Sequence, residues 1–167
     1  MADDGDPKAT SGGEDEEPLQ IPEIHGEVDR ILVPVDGSPG SERGLAYADL
    51  VARATGAELV VVVAYDPPLA IRRRAGPLEV FHERAEMEQE AKDLAAEAVD
   101  LFTGRGHTAR AIVVRGDPAE SILEMAERER VDLIVMGRRG LGRLAGLLVG
   151  SVSERVARHS NVPVLLV

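Results

Sequence analysis

The 167-residue chain carries a formal net charge of −11, unevenly placed: residues 1–27 hold nine acids and one base, the other 140 hold 21 acids and 18 bases. The body is thus nearly balanced, and the low overall pI is no argument for a basic partner. The absence of cysteine excludes disulfides, thiolate metal sites and Cys nucleophiles and fits a cytoplasmic location, while four aromatic residues are too few for a nucleic-acid stacking platform.

Residues 1–27 are Gly-, Ser-, Asp-, Glu- and Pro-rich and almost without apolar residues before Leu19, so this segment is expected to be a disordered acidic tail. It has neither an apolar h-region nor an Arg-rich amphipathic face, which argues against a signal or transit peptide. No apolar run reaches the ~18 residues of a membrane span. Residues 28–167 read as one domain.

Asp29 to Val35 is a β-branched run and predicts a buried strand. It stops at Asp36-Gly37-Ser38-Pro39, where Ser38 caps the next helix and Pro39 takes its first position. That helix is expected to run to Thr55 with Leu45, Ala48, Val51, Ala52 and Thr55 inward, and Gly56 supplies a left-handed stop. Glu58 to Tyr65 is a second strand, apolar without alternation, as in a parallel sheet covered on both faces. Asp66 to Pro77 reads as an exposed loop containing Arg72-Arg73-Arg74. A long helix follows over 78–102, with Met87, Ala91, Leu94, Ala95, Ala98, Leu101 and Phe102 on one stripe.

Thr108 to Val114 is the third strand. Asp117-Pro118-Ala119-Glu120 starts a helix to about Arg130, with Ile122, Met125 and Ala126 inward. Asp132 to Met136 is the fourth strand and leads into a loop with glycines at 137, 140, 142, 146 and 150. A last helix covers 151–160 with Val152, Val156 and His159 inward, and Val162 to Val167 is the fifth strand. Five strands alternating with helices predict an α/β fold: a parallel, doubly wound sheet with helices on both faces. Ligands then bind at the carboxyl ends of the strands where the winding reverses. If the first and fourth strands are neighbours there, Asp36 and Gly137 face one crevice.

A strand, a glycine loop and a helix N-terminus make a ready anion site. Walker A chemistry is excluded, because the region has no lysine. Gly140-Leu141-Gly142-Arg143-Leu144-Ala145 matches G-x-G-x-x-[GA], but no strand-end acid follows at the required distance, so this match is coincidental. The four histidines lack ligand spacing and no G-x-S-x-G is present, so neither a metal site built from protein alone nor hydrolase chemistry is supported.

The longer spacing Gly137-x2-Gly140-x9-Gly150-Ser151 is more telling. With Ile31–Ser38 (ILVPVDGS), Gly116-Asp117-Pro118 and the closing Gly150–Val167 (GSVSERVARHSNVPVLLV), it resembles the universal stress protein family, in its ATP-binding subgroup with the G-x2-G-x9-G-[ST] motif. The likeness covers about Val28 to Val167. It implies a Rossmann-like, adenine nucleotide alpha hydrolase-like sheet and a regulatory module of the stress response that holds ATP, AMP or another adenine nucleotide.

Carried onto this sequence, the resemblance places Pro34 and Asp36 near the adenine and ribose, and Ala64 against adenine through its backbone. Met136, Gly137 and Gly140 match the ribose and phosphate side of the loop. Gly150, Ser151, Val152 and Ser153 match the phosphate-binding start of the helix. Arg138, Arg139 and Arg143 supply positive charge, Arg139 being the candidate ligand. Mg2+ or Mn2+ is expected to bridge the phosphates, since few carboxylates are expected nearby. No catalytic residue is assigned. A weak ATPase or autokinase, with Asp36 orienting water and Ser151 or Ser153 accepting phosphate, is the alternative; a nucleotide-free, partner-binding stress subunit is the third reading. The apolar strand Val162–Val167 is expected to leave its edge uncovered, and the resemblance implies a homodimer paired through it.

Overall fold

The computed structural model describes residues 26–66, 77–141 and 149–167. The acidic tail, the Arg72–Arg74 run and Arg143 lie outside them. Among the described residues nine elements follow in order: β1 (Arg30–Pro34), α1 (Pro39–Thr55), β2 (Glu58–Tyr65), α2 (Pro77–Thr103), β3 (Ala109–Arg115), α3 (Pro118–Arg128), β4 (Leu133–Met136), α4 (Ser151–His159) and β5 (Val164–Leu166). The five strands are parallel and ordered β3-β2-β1-β4-β5. The chain winds outward from β1 in one direction, then returns to β1's other side and winds in the opposite one. Strands β1 and β4 are therefore neighbours at the switch point, as the crevice hypothesis required.

Alternate residues of each strand feed two cores. Ile31, Val33, Val35, Leu59, Val61 and Val63 meet Ala48 and Ala52 of α1 and Ala91, Ala95, Ala98 and Phe102 of α2. Leu32, Val60, Val62, Ile134 and Met136 meet Ala119, Ile122, Met125 and Ala126 of α3 and Val156 of α4. The central strands are buried on both faces, which is why they read as unbroken apolar runs. Small alanines on α1 and α2 let those helices lie close to the β-branched sheet surface.

The helix ends follow short-range chemistry. Ser38 Oγ accepts from the Ser41 N–H at 3.1 Å with Pro39 beside it, and Gly56 turns the chain at φ 79°. Asp117 Oδ1 accepts from the Glu120 N–H at 3.0 Å. The Glu120 carboxylate faces Arg155 of α4, tying α3 to α4.

Three expected inward residues point outward. Leu101 is 40% exposed, because it sits about 80° round the helix from the centre of α2's buried stripe. Thr55 is exposed at the end of α1, with its hydroxyl on the Val51 carbonyl. On α4 the buried face is Ser153 and Val156, with Val152 half-buried; His159 is exposed, its ring bonded to Arg155 O. Ser153 can be buried because its hydroxyl donates to the carbonyls of Arg138 and Gly150.

Candidate functional site

The carboxyl ends of β1, β2 and β4 open into a cavity of about 450 Å³. Its walls come from both faces of the sheet. Val35, Val63, Ala91 and Leu94 belong to the α1–α2 core, while Val62, Ile122, Met136 and Val152 belong to the α3–α4 core. The cavity thus wraps the edge of the sheet at the switch point, where two crossovers part and leave the strand ends uncovered. All eleven candidate ligand residues line it: Pro34, Asp36, Ala64, Met136, Gly137, Arg139, Gly140, Gly150, Ser151, Val152 and Ser153.

One end of the cavity is suited to anions. Gly150 is the N-cap of α4 and offers no side-chain cap, so the first-turn N–H groups of Ser151, Val152 and Ser153 are left for another acceptor. The other two capped helices use Ser38 and Asp117 for that purpose. Ser151 is exposed at the first position of α4. Ser153 lines the cavity, but its hydroxyl is committed as a donor to Arg138 O at 2.7 Å and Gly150 O at 3.0 Å. The Gly150 N–H also donates to Arg138 O, at 2.7 Å. The first residues of the loop and the start of α4 are therefore one hydrogen-bonded unit.

Asp36 holds the loop from the other side. Its Oδ1 accepts from the Ser38 N–H at 3.0 Å, and its Oδ2 accepts from the Leu141 N–H at 3.1 Å. A side chain at Gly140 would collide with that carboxylate, and one at Gly137 would collide with the backbone of Gly40 on α1. These two glycines are explained first by protein packing against protein. Open approach for a phosphate, the role read from sequence, fits Gly150: an added Cβ there meets nothing nearer than Arg138 O at 3.4 Å.

Of the three arginines proposed to supply charge, Arg139 lines the cavity, and the Arg138 N–H bonds Val167 O at 2.9 Å at the end of the chain beyond β5. Carboxylates are more numerous than expected. Asp36, Asp66 and Glu90 all line the cavity, Glu90 being brought in by α2. Even so, no group of three or more His, Cys, Asp or Glu among the described residues is arranged to hold a metal.

Sequence reasoning did not find the α2 wall. Met87 and Leu94 belong to the apolar stripe, and Glu90 lies three residues from one and four from the other, on the same side of the helix. That spacing was the available signal. Tyr65 also lines the cavity; burial, and then the neighbouring Glu88 carboxylate, push its phenol above the usual range. Glu88 in turn bonds Lys92 Nζ at 2.6 Å, which with Tyr65 holds its carboxyl below the ordinary value.

Residues 27–167 match the model of the universal stress protein family. The chain belongs to that family. A universal stress protein from Thermus aquaticus is 42% identical over 137 residues, covering 82% of this chain and 96% of that one. The solved structure of MJ0577, a universal stress protein of Methanocaldococcus jannaschii, superposes with a TM-score of 0.75 at 30% identity, covering 85% of this chain and 96% of that one. A universal stress protein solved in complex with cAMP superposes with a TM-score of 0.62, also at 30% identity, over 83% and 96% of the two chains. Family and fold agree with the motifs quoted above. No helix among the described residues is long and apolar enough to cross a membrane.

Proposed function

We propose that this universal stress protein is an adenine-nucleotide-binding regulatory module, with ATP or AMP held between the end of β1 and the glycine loop after β4. The observation that carries this reading is the uncapped N-terminus of α4 at one end of a switch-point cavity lined by all eleven candidate residues. Phosphate oxygens would accept from the first-turn N–H groups of Ser151 to Ser153, helped by the helix dipole and by Arg139. The apolar walls of Val62, Ala64, Ile122 and Met136 suit a flat base. The solved relative with cAMP supports the adenine class. Mg2+ or Mn2+ would reach the site on the phosphates, and Asp36, Asp66 and Glu90 make such charge compensation useful.

The same geometry favours holding nucleotide over cleaving it. Both carboxylate oxygens of Asp36 accept from backbone N–H groups, a positioning task that leaves it poorly placed to activate water. Occupancy of the loop would be read out by a second copy of the chain paired along β5. Titration calorimetry with Mg-ATP, AMP and cAMP on wild type and Gly150→Val tests the reading. Micromolar binding that is lost in a folded Gly150→Val is expected; millimolar or no binding by folded wild type overturns it.

A further inference from the structure

Gly40 stands behind the anion loop, on the first turn of α1 and outside the cavity lining. A Cβ there would fall well inside van der Waals contact of the Arg139 carbonyl oxygen and 3.0 Å from its carbonyl carbon. Conversely, a Cβ on Gly137 would lie 2.9 Å from Gly40 Cα, and one on Gly44, a turn further along α1, would lie 3.3 Å from the Gly137 nitrogen. Two glycines four residues apart thus form a groove on α1 into which the loop backbone settles at van der Waals distance. The Asp36–Leu141 hydrogen bond closes the same corner from the β1 side.

From this we infer that Gly40 is a positioning residue for the nucleotide site: the bare first turn of α1 sets where the Gly137–Leu141 backbone lies, and so where Arg139 lies relative to the α4 N-terminus. The inference rests on the nucleotide reading above. It predicts an effect opposite to that of helix propensity. Alanine is a better helix former than glycine, so Gly40→Ala strengthens α1 as an isolated helix while forcing the loop away.

The test compares wild type, Gly40→Ala and Gly44→Ala by Mg-ATP calorimetry well below the melting temperature, and by amide hydrogen exchange without nucleotide. Gly40→Ala is expected to lose about tenfold or more in affinity. Its exchange should rise at Arg138–Leu141 and stay unchanged in β1, β2 and β4. Gly44→Ala, with a looser contact, is expected to show a smaller loss and to carry the test if Gly40→Ala does not fold. Wild-type affinity in both variants, or exchange that rises evenly through the domain, overturns the inference. Absence of nucleotide binding in wild type would instead overturn the functional reading, and the exchange measurement would still decide whether α1 positions the loop.

Discussion

A methyl group added at Gly150 would meet nothing nearer than the Arg138 carbonyl oxygen at 3.4 Å, whereas one added at Gly137 would drive into the Gly40 backbone. Gly137→Ala is therefore expected to cost about 1–3 kcal/mol by overpacking. Gly150→Ala, at φ −79° and ψ 157°, should leave the denaturant midpoint within error of wild type. A folded Gly150 variant is the cleaner probe of binding, since loss of ligand by a Gly137 variant would report misfolding as well. Asp117 makes a second residue-level case. The hydrogen bond from the Glu120 N–H, opposed by partial burial and aided by Arg155, holds its carboxyl below the ordinary 3.8. A folded-state value lower than the unfolded one means stability that is present above the ordinary carboxylate range and lost as pH falls through the folded value. The denaturant midpoint of wild type should fall between about pH 5 and pH 3, and Asp117→Asn should show a smaller fall from a lower starting point. An identical acid response in the two would remove Asp117 from the account. Glu58, also held low because the hydrogen bonds and charges of Arg30 and Arg110 outweigh its burial, leaves the variant some acid sensitivity.

Between elements, polar contacts secure the end of the sheet opposite the cavity. Asp49 of α1 is 8% exposed, and its Oδ1 meets His107 Nε2 at 2.8 Å in the turn between α2 and β3; Arg53 meets its other oxygen at 3.2 Å. The His107 ring stands edge-on to Phe102, whose side chain is fully buried in the α1–α2 core. Removing the imidazole leaves a buried carboxylate with one exposed partner. His107→Ala should destabilise the fold by about 1–3 kcal/mol, read as the denaturant midpoint, with nucleotide affinity unchanged because the clamp lies away from the strand carboxyl ends. Most of this level was legible beforehand. As caps and stops, Ser38, Pro39, Gly56 and Asp117 each act within four residues of themselves, so those roles can be read from neighbours in the chain. The Asp49–His107 contact joins positions 58 apart and left no trace in local pattern.

At the scale of the whole molecule, among the described residues, β5 lies at the edge of the sheet, paired only with β4 and part-exposed along its length. Pro163 O and Val167 N bond to β4, so the backbone groups of Val164 and Leu166 alternate toward the open edge. Pairing of this edge with a second copy about a two-fold axis would cover it. Light scattering at micromolar concentration should give a dimeric mass, and a clean monomer would sink the proposal. By itself the sequence determined the five strands, the helix caps and the glycine spacing of the loop, because each depends on apolar periodicity or on backbone chemistry a few residues away. Only the tertiary structure decided that Gly137 and Gly140 answer to α1 and Asp36, that Ser153 is buried as a loop tie, and that Glu90 and Tyr65 share the cavity. Those facts depend on distances between segments far apart in the chain, which follow from the sheet order and not from any local run of residues.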